Sequence, residues 1–404
     1  MKRNVSGWVL SLSLFLSAGV QASDYSFNLS EIEKKPYMFG GYAEFISAAY
    51  DYDKDTAGYS TRFRNEEPQD TAWSADARLR LNGSYEINDF NFAFISDISG
   101  YKEDTGDYRQ ITKFFEGYSS WSASPNFTLY AGKKNIKWGK GYAFSPAALI
   151  DRQKNPDDPE AVLEGHYLIS ADYIKNVGGA LKNFTVTPVI YYINDDMNRS
   201  MSGADGKGYA GKLYLLLYDT DIDFMFTSVE SDGIKYGFDF SKNLTSAFEL
   251  HGEYAKFQDY KLYTPLGPSK ETSDNYLIGV RYLTENEITF ISEYYHRSDG
   301  YTENEMEKFY RADKAVLRNF AMQDYLYFRA SVKEPFDVLY LTPALTLILN
   351  TDDGSFSASP EVTYTGFTNY ELKLKATALS REKYTEYGEK PAAARIELRI
   401  RRYF

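Results

Sequence analysis

The chain has 404 residues, with 45 Lys and Arg against 57 Asp and Glu, and its formal charge of −12 at pH 7 argues against nucleic acid as a partner. It contains no cysteine, so no disulfide braces it, and beyond its first residues it has no run of about 18 apolar residues long enough for a membrane-crossing helix. Yet 37 Tyr and 27 Phe accompany a mean hydropathy of −0.48, a pairing odd for a soluble exported enzyme and natural for strands whose alternate residues face lipid and water.

The first element is a leader. Lys2 and Arg3 precede an apolar run from Trp8 to Val20, and Val20-Gln21-Ala22 offers small residues at the recognition positions before Ser23. Residues 1–22 are therefore expected to be a cleaved signal peptide. As an uncleaved anchor, the alternative, the run is too short to cross about 30 Å of hydrocarbon as a helix. No cysteine near the site allows acylation. Loss of Lys2 and Arg3 takes the charge from −12 to −14. Residues 23–36 read as a short periplasmic segment and 37–404 as one domain.

Alternating segments of about 10 residues separated by turn signals predict transmembrane strands near 37–50, 72–86, 90–99, 111–121, 125–134, 166–176, 184–193, 208–218, 221–230, 233–241, 245–257, 274–284, 287–297, 322–333, 336–349, 355–366, 369–379 and 392–404. The fold class is all-β, a closed antiparallel transmembrane β-barrel of about 18 strands, with 16 as the second choice. Connections after even strands are tight: Ile87-Asn88-Asp89, Ser122 to Pro125, Lys242-Asn243, Glu285-Asn286, Lys333-Glu334-Pro335 and Phe367-Thr368. Those at 51–71, 135–165, 194–207, 258–273, 298–321 and 380–391 are long and polar, and are expected on the extracellular side. Two odd connections, Ser231-Asp232-Gly233 and the one around Asp352-Asp353-Gly354, break the rhythm by being short.

The last strand sets Ile396, Leu398, Ile400 and Phe404 on one face and Arg395, Glu397, Arg399 and Arg401 on the other. It resembles the closing strand of Gram-negative outer-membrane proteins, which typically ends in Phe after apolar residues at every second position; Arg402 stands where an aromatic residue is usual. That resemblance implies an outer-membrane location, contact with lipid and lipopolysaccharide, and handling by the barrel-assembly machinery through the strand ending at Phe404. A separate plug ahead of the barrel is not expected, because the first strand starts near Tyr37.

A barrel this wide is not filled by its strand side chains, so a loop must narrow it. The candidate is 135–165, which carries Trp138-Gly139-Lys140-Gly141-Tyr142, Ser145-Pro146, Asp151-Arg152 and Asn155-Pro156-Asp157-Asp158-Pro159-Glu160. It looks like the inward-folded constriction loop of classical porins, and Lys137 to Glu160 resembles stretches of little-characterised porin-like families. On this reading Lys133, Lys137, Lys140 and Arg152, opposed by Asp151, Asp157, Asp158 and Glu160 and joined by Trp138 and Tyr142, form the pore constriction or a solute-binding site. A solvated outer loop of mixed charge is the alternative. On the lumen wall Arg78, Arg80, Arg395, Arg399 and Arg401 flank Glu44, read first as a salt-bridged network and second as a ladder attracting anions. Between Glu303 and Phe320, the residues Met306, Phe309, Tyr310, Val316, Leu317 and Phe320 share a helical face, expected to pack on the rim without gating.

No catalytic residue, metal site or cofactor is expected. His166, His251 and His296 stand without a nucleophile motif and read as lumen or rim histidines. Asp51-Asp53-Asp55 and Asp157-Asp158 lack the Gly and distal Glu of a calcium loop, and read as solvated charge or weak cation contacts with lipopolysaccharide. The function expected is porin-like passage of small solutes. Export of an anionic polymer is one alternative and a barrel lipase or protease another.

Overall fold

In the computed structural model, residues 35–104, 106–193, 206–264, 267–312, 316 and 319–404 are described. Eighteen antiparallel strands follow in chain order: β1 (Tyr37–Tyr52), β2 (Thr71–Ile87), β3 (Phe90–Glu103), β4 (Arg109–Ser124), β5 (Phe127–Lys134), β6 (His166–Gly178), β7 (Leu181–Ile193), β8 (Gly206–Leu217), β9 (Thr220–Val229), β10 (Gly233–Asn243), β11 (Phe248–Thr264), β12 (Gly267–Leu283), β13 (Ile288–Arg297), β14 (Asp324–Val332), β15 (Leu341–Asn350), β16 (Phe356–Tyr364), β17 (Tyr370–Leu379) and β18 (Ala392–Tyr403). Each pairs with its neighbour, and β1 pairs with β18 from Tyr42↔Tyr403 to Tyr52↔Ala392, so the sheet closes on itself. Two short helices, α1 (Ala57–Arg62) and α2 (Glu303–Arg311), lie in connections.

The period of two decides which side chain meets which solvent. On β18 Ile396 and Leu398 are exposed on the outer face while Glu397 between them is buried in the lumen. Arginines at the lipid midplane would cost about 2 to 4 kcal/mol each, which fixes the register against a one-residue slip. At one end, called here the turn end, connections are short; at Tyr218-Asp219 both residues take positive φ, as a two-residue hairpin turn requires. The opposite, loop end carries the longer connections.

Two expectations need correction. The stretch 258–273 is not a long polar loop: β11 runs on to Thr264 and β12 starts at Gly267, with only a register irregularity between Phe257 and Tyr260. The fifteenth strand starts at Leu341 rather than near 336, because Pro335 opens a 3-10 turn instead of a tight hairpin. Helix α2 packs by its apolar face. Met306 and Tyr310 are buried in an apolar cluster with Phe144, Leu277, Tyr295, Tyr325, Tyr327 and Ile348, with Phe309, Val316 and Phe320 packed against it. Leu317, the leader 1–22, residues 23–34 and most of the expected loop 194–207 lie outside the described residues.

Candidate functional site

The connection from β5 to β6, residues 135–165, turns into the barrel. Its anchors are carboxylates that grip backbone amides. Glu253 on β11 accepts from the N–H groups of Lys140, Gly141 and Ala147 and from the Ser145 hydroxyl. Glu293 on β13 accepts from the amides of Tyr142, Ala143 and Phe144, and from His251 at 3.0 Å. Gly139 permits the first grip: its φ is +87°, and a Cβ there would meet the Ser145 hydroxyl and come within 2.9 Å of Glu253. Asp151 ties the loop to itself through the amides of Ile136, Lys137 and Trp138. Burial pushes the Asp151 carboxyl up, against the pull of those three amides.

Apolar packing seats the same loop. Trp138, Ala147, Leu149 and Ile150 bury against Leu168, Val189, Tyr191, Ala210 and Met225 on the β6–β9 wall. Phe144 stacks on Tyr295 with ring centroids 4.7 Å apart. The loop then crosses the lumen. Lys375 on β17 donates to the Asp157 carbonyl at 2.6 Å, and Arg399 on β18 reaches the Asp158 carboxylate at 3.2 Å. The strap thus spans from the β11 and β13 wall to the β17 and β18 wall.

Beside the strap lies a cavity of about 670 Å³, between Asp158–Val162 and the wall of β1–β4 and β14–β18. Arg78, Arg80, Arg109, Lys113, Arg329, Lys373, Arg399 and Arg401 line it, with Asp76, Asp97, Asp158, Glu160, Glu361 and Glu371. Much of this charge is internally paired. Asp97 takes Arg80 through both oxygens at 2.5 Å, and the Arg80 guanidinium lies over the rings of Tyr42 and Phe115. Glu44, buried at the centre of the wall, holds Arg401 at 2.7 Å and Arg78 at 3.4 Å. Arg109 and Lys113 on β4 have no ion pair among the described residues. They face the cavity, with Glu103 acting on Arg109 through space and Asp97 standing opposite Lys113 on β3.

The residues singled out from sequence fall into separate groups. Glu44, Arg78, Arg80, Arg399 and Arg401 come together on the wall, and Arg395 lies over Tyr50 beside Glu397. Of the loop residues, Asp158 and Glu160 line the passage and Asp157 contributes its carbonyl to Lys375. Lys133 and Arg152 both pair with Glu164 at the loop's foot. Lys140 reaches Asp223 at 3.0 Å; burial works against its ammonium, but Asp223 and Asp239 outweigh burial and raise its pKa. Tyr142 donates to Glu249 and packs on the His251 ring, Trp138 is buried, and Lys137 is exposed away from the passage. His166 faces Tyr191, and His296 pairs with Asp324 at 2.7 Å.

The alternation on the seventeenth strand does place Glu371 and Lys373 in the lumen, but sequence reasoning missed Arg109, Lys113, Arg329 and Glu361 in the cavity. Their signal was the same alternation that exposed Arg78 and Arg80. It missed Glu253 and Glu293 as anchors for another reason: a lumen acid that meets amides about 110 or 150 positions away looks like any other lumen acid.

No protein-family model matches the sequence, and none of the curated proteins compared with it does either. Solved structures do match in fold. OccK5 (OpdH) of Pseudomonas aeruginosa superposes with a TM-score of 0.55 at 10% identity, over 90% of this chain and 98% of that one. OccAB2 of Acinetobacter baumannii gives 0.53 at 10% identity, over 90% and 98%. OccK2 (OpdF) of P. aeruginosa, solved in complex with glucuronate, gives 0.55 at 9% identity, over 91% and 98%. The 18-stranded barrel with its inward strap is therefore a porin-type fold, the architecture of the OccK and Opd outer-membrane porins.

Proposed function

We propose that the protein is a Gram-negative outer-membrane channel that passes small charged solutes, anions in preference, along the arginine-lined cavity. The strap supports this reading: residues 135–165 are fastened to opposite walls of the lumen and leave a charged cavity beside them, as a constriction would and a plug would not. Arg109 and Lys113 tip the local field toward anions, while Asp158 and Glu160 on the facing strap orient whatever passes. A compact carboxylate such as the glucuronate bound to OccK2 fits the charge of this wall. The outer face would be solvated by lipid and lipopolysaccharide, with the turn end in the periplasm and the β18 strand serving as the assembly signal.

Planar-bilayer recording tests the proposal. The refolded protein should give ohmic steps with an anion-favouring reversal potential, and deletion of residues 138–158 should enlarge the steps and weaken the selectivity. A silent wild type, or a deletion that leaves conductance unchanged, would overturn it.

A further inference from the structure

A second, smaller cavity lies on the other side of the strap. It measures about 170 Å³ and shares no lining residue with the arginine passage. Ile136 and Trp138, held in place by Asp151, bound it on the loop side; the β5–β8 wall supplies Lys134, Asp172, Ser170, Thr185 and Thr187. Its charges are unusual for this lumen. The Lys134 ammonium lies over the Tyr130 ring at 4.6 Å and the Tyr118 ring at 5.7 Å; among the described residues it makes no direct ion pair, while Asp172, Glu116 and Asp151 attract it at longer range. Asp172 accepts a hydrogen bond from Thr187, is engaged by the Tyr130 hydroxyl as well, and likewise makes no direct ion pair among the described residues. Lys212 also reaches the cavity, but its ammonium is 3.4 Å from Asp223. One cation and one anion thus line the same cavity, coupled through space but not in direct contact.

An anion bound here would satisfy Lys134 and confront Asp172; a cation would do the reverse. A molecule bearing both charges satisfies both walls, and the hydroxyls of Ser170 and Thr185 remain for its polar atoms. At about 30 Å³ per water, the space equals five or six waters, which suits a small amino acid with a water or two. We infer that this chamber is a second solute subsite that takes a small zwitterion of the α-amino-acid class, its carboxylate toward Lys134 and its ammonium toward Asp172. The inference leans on the channel reading only for how the ligand arrives.

Binding is measurable without transport, because Trp138 lines the chamber. A variant with Trp8→Phe, Trp73→Phe and Trp121→Phe leaves Trp138 as the only indole. In detergent micelles its emission should change saturably with glycine or serine at roughly millimolar concentration, and with acetate or methylammonium at least about tenfold more weakly. Lys134→Gln and Asp172→Asn should each weaken glycine binding by about tenfold or more. Acetate binding as well as glycine, or better after Asp172→Asn, would make this an anion site and overturn the inference; so would no saturable response to any probe. If a variant fails to assemble, the ranking of the four probes on the parent protein decides alone. A conducting channel that binds none of them sinks this inference only, and glycine binding by a silent protein sinks only the channel reading.

Discussion

Single carboxylates set the position of the strap. Glu293 takes three consecutive amides, and each hydrogen bond to a charged group contributes about 1.5 to 3 kcal/mol net. Glu293→Ala should therefore loosen the local docking by at least about 3 kcal/mol, roughly a hundredfold in the open population. Hydrogen exchange checks it: the Tyr142, Ala143 and Phe144 amides, protected in the parent without belonging to any strand or helix, should exchange about a hundredfold faster. Unchanged exchange would mean that apolar packing through Phe144 holds the strap. On the opposite wall Asp97 neutralises Arg80. Asp97→Asn should release that charge and shift the reversal potential further toward anions, at some cost in stability because a buried guanidinium loses its partner.

At the scale of elements, β18 closes the barrel and the chain end finishes the seam. Gly41 donates to the Phe404 carbonyl at 3.2 Å and Phe404 donates back to Gly41 at 3.1 Å. Deleting Phe404 removes both bonds and the terminal aromatic residue, and should lower the fraction of newly made chain that reaches a heat-modifiable folded form on gels. Strands were legible because lipid on one side and water on the other impose a period of two that Leu79 between Arg78 and Arg80, or Ile396 beside Glu397, displays openly. Strand ends were less legible. The β11–β12 hairpin continues past the alternating region through polar residues such as Gln258 and Lys270, whose composition reads as loop. The site was legible in part, since the wall arginines advertise themselves by alternation whereas the strap's anchors bind backbone, which has no letter in the sequence. Helix α2 shows a further limit: its apolar face was visible, but whether it faced the rim or Phe144 depended on where another loop went.

Across the whole molecule, closure leaves no sheet edge and no cysteine contributes, so reductant should not alter the temperature at which the barrel unfolds in detergent. Arg109 and Lys113, which make no direct ion pair among the described residues, would act on a solute through water in the cavity, and screening length falls from about 10 Å at 0.1 M salt to about 3 Å at 1 M. Anion preference should accordingly decline toward parity over that range, as reversal potentials under matched gradients would record; a salt-independent preference would place selectivity in direct contacts instead.

Part of the strap's fastening is to its main chain: Glu253, Glu293, Asp151 and Lys375 all engage amides or a carbonyl. Exposed side chains at these positions, Lys137 and Asp157, can therefore be exchanged without loosening that fastening, whereas the buried Trp138, Ala143, Phe144 and Ala147 and the close-packed Gly139 cannot. Such a mounting separates heredity of shape from heredity of preference. Mutation at the exposed positions can then rewrite what the strap presents to the lumen while its fastening stays where it is.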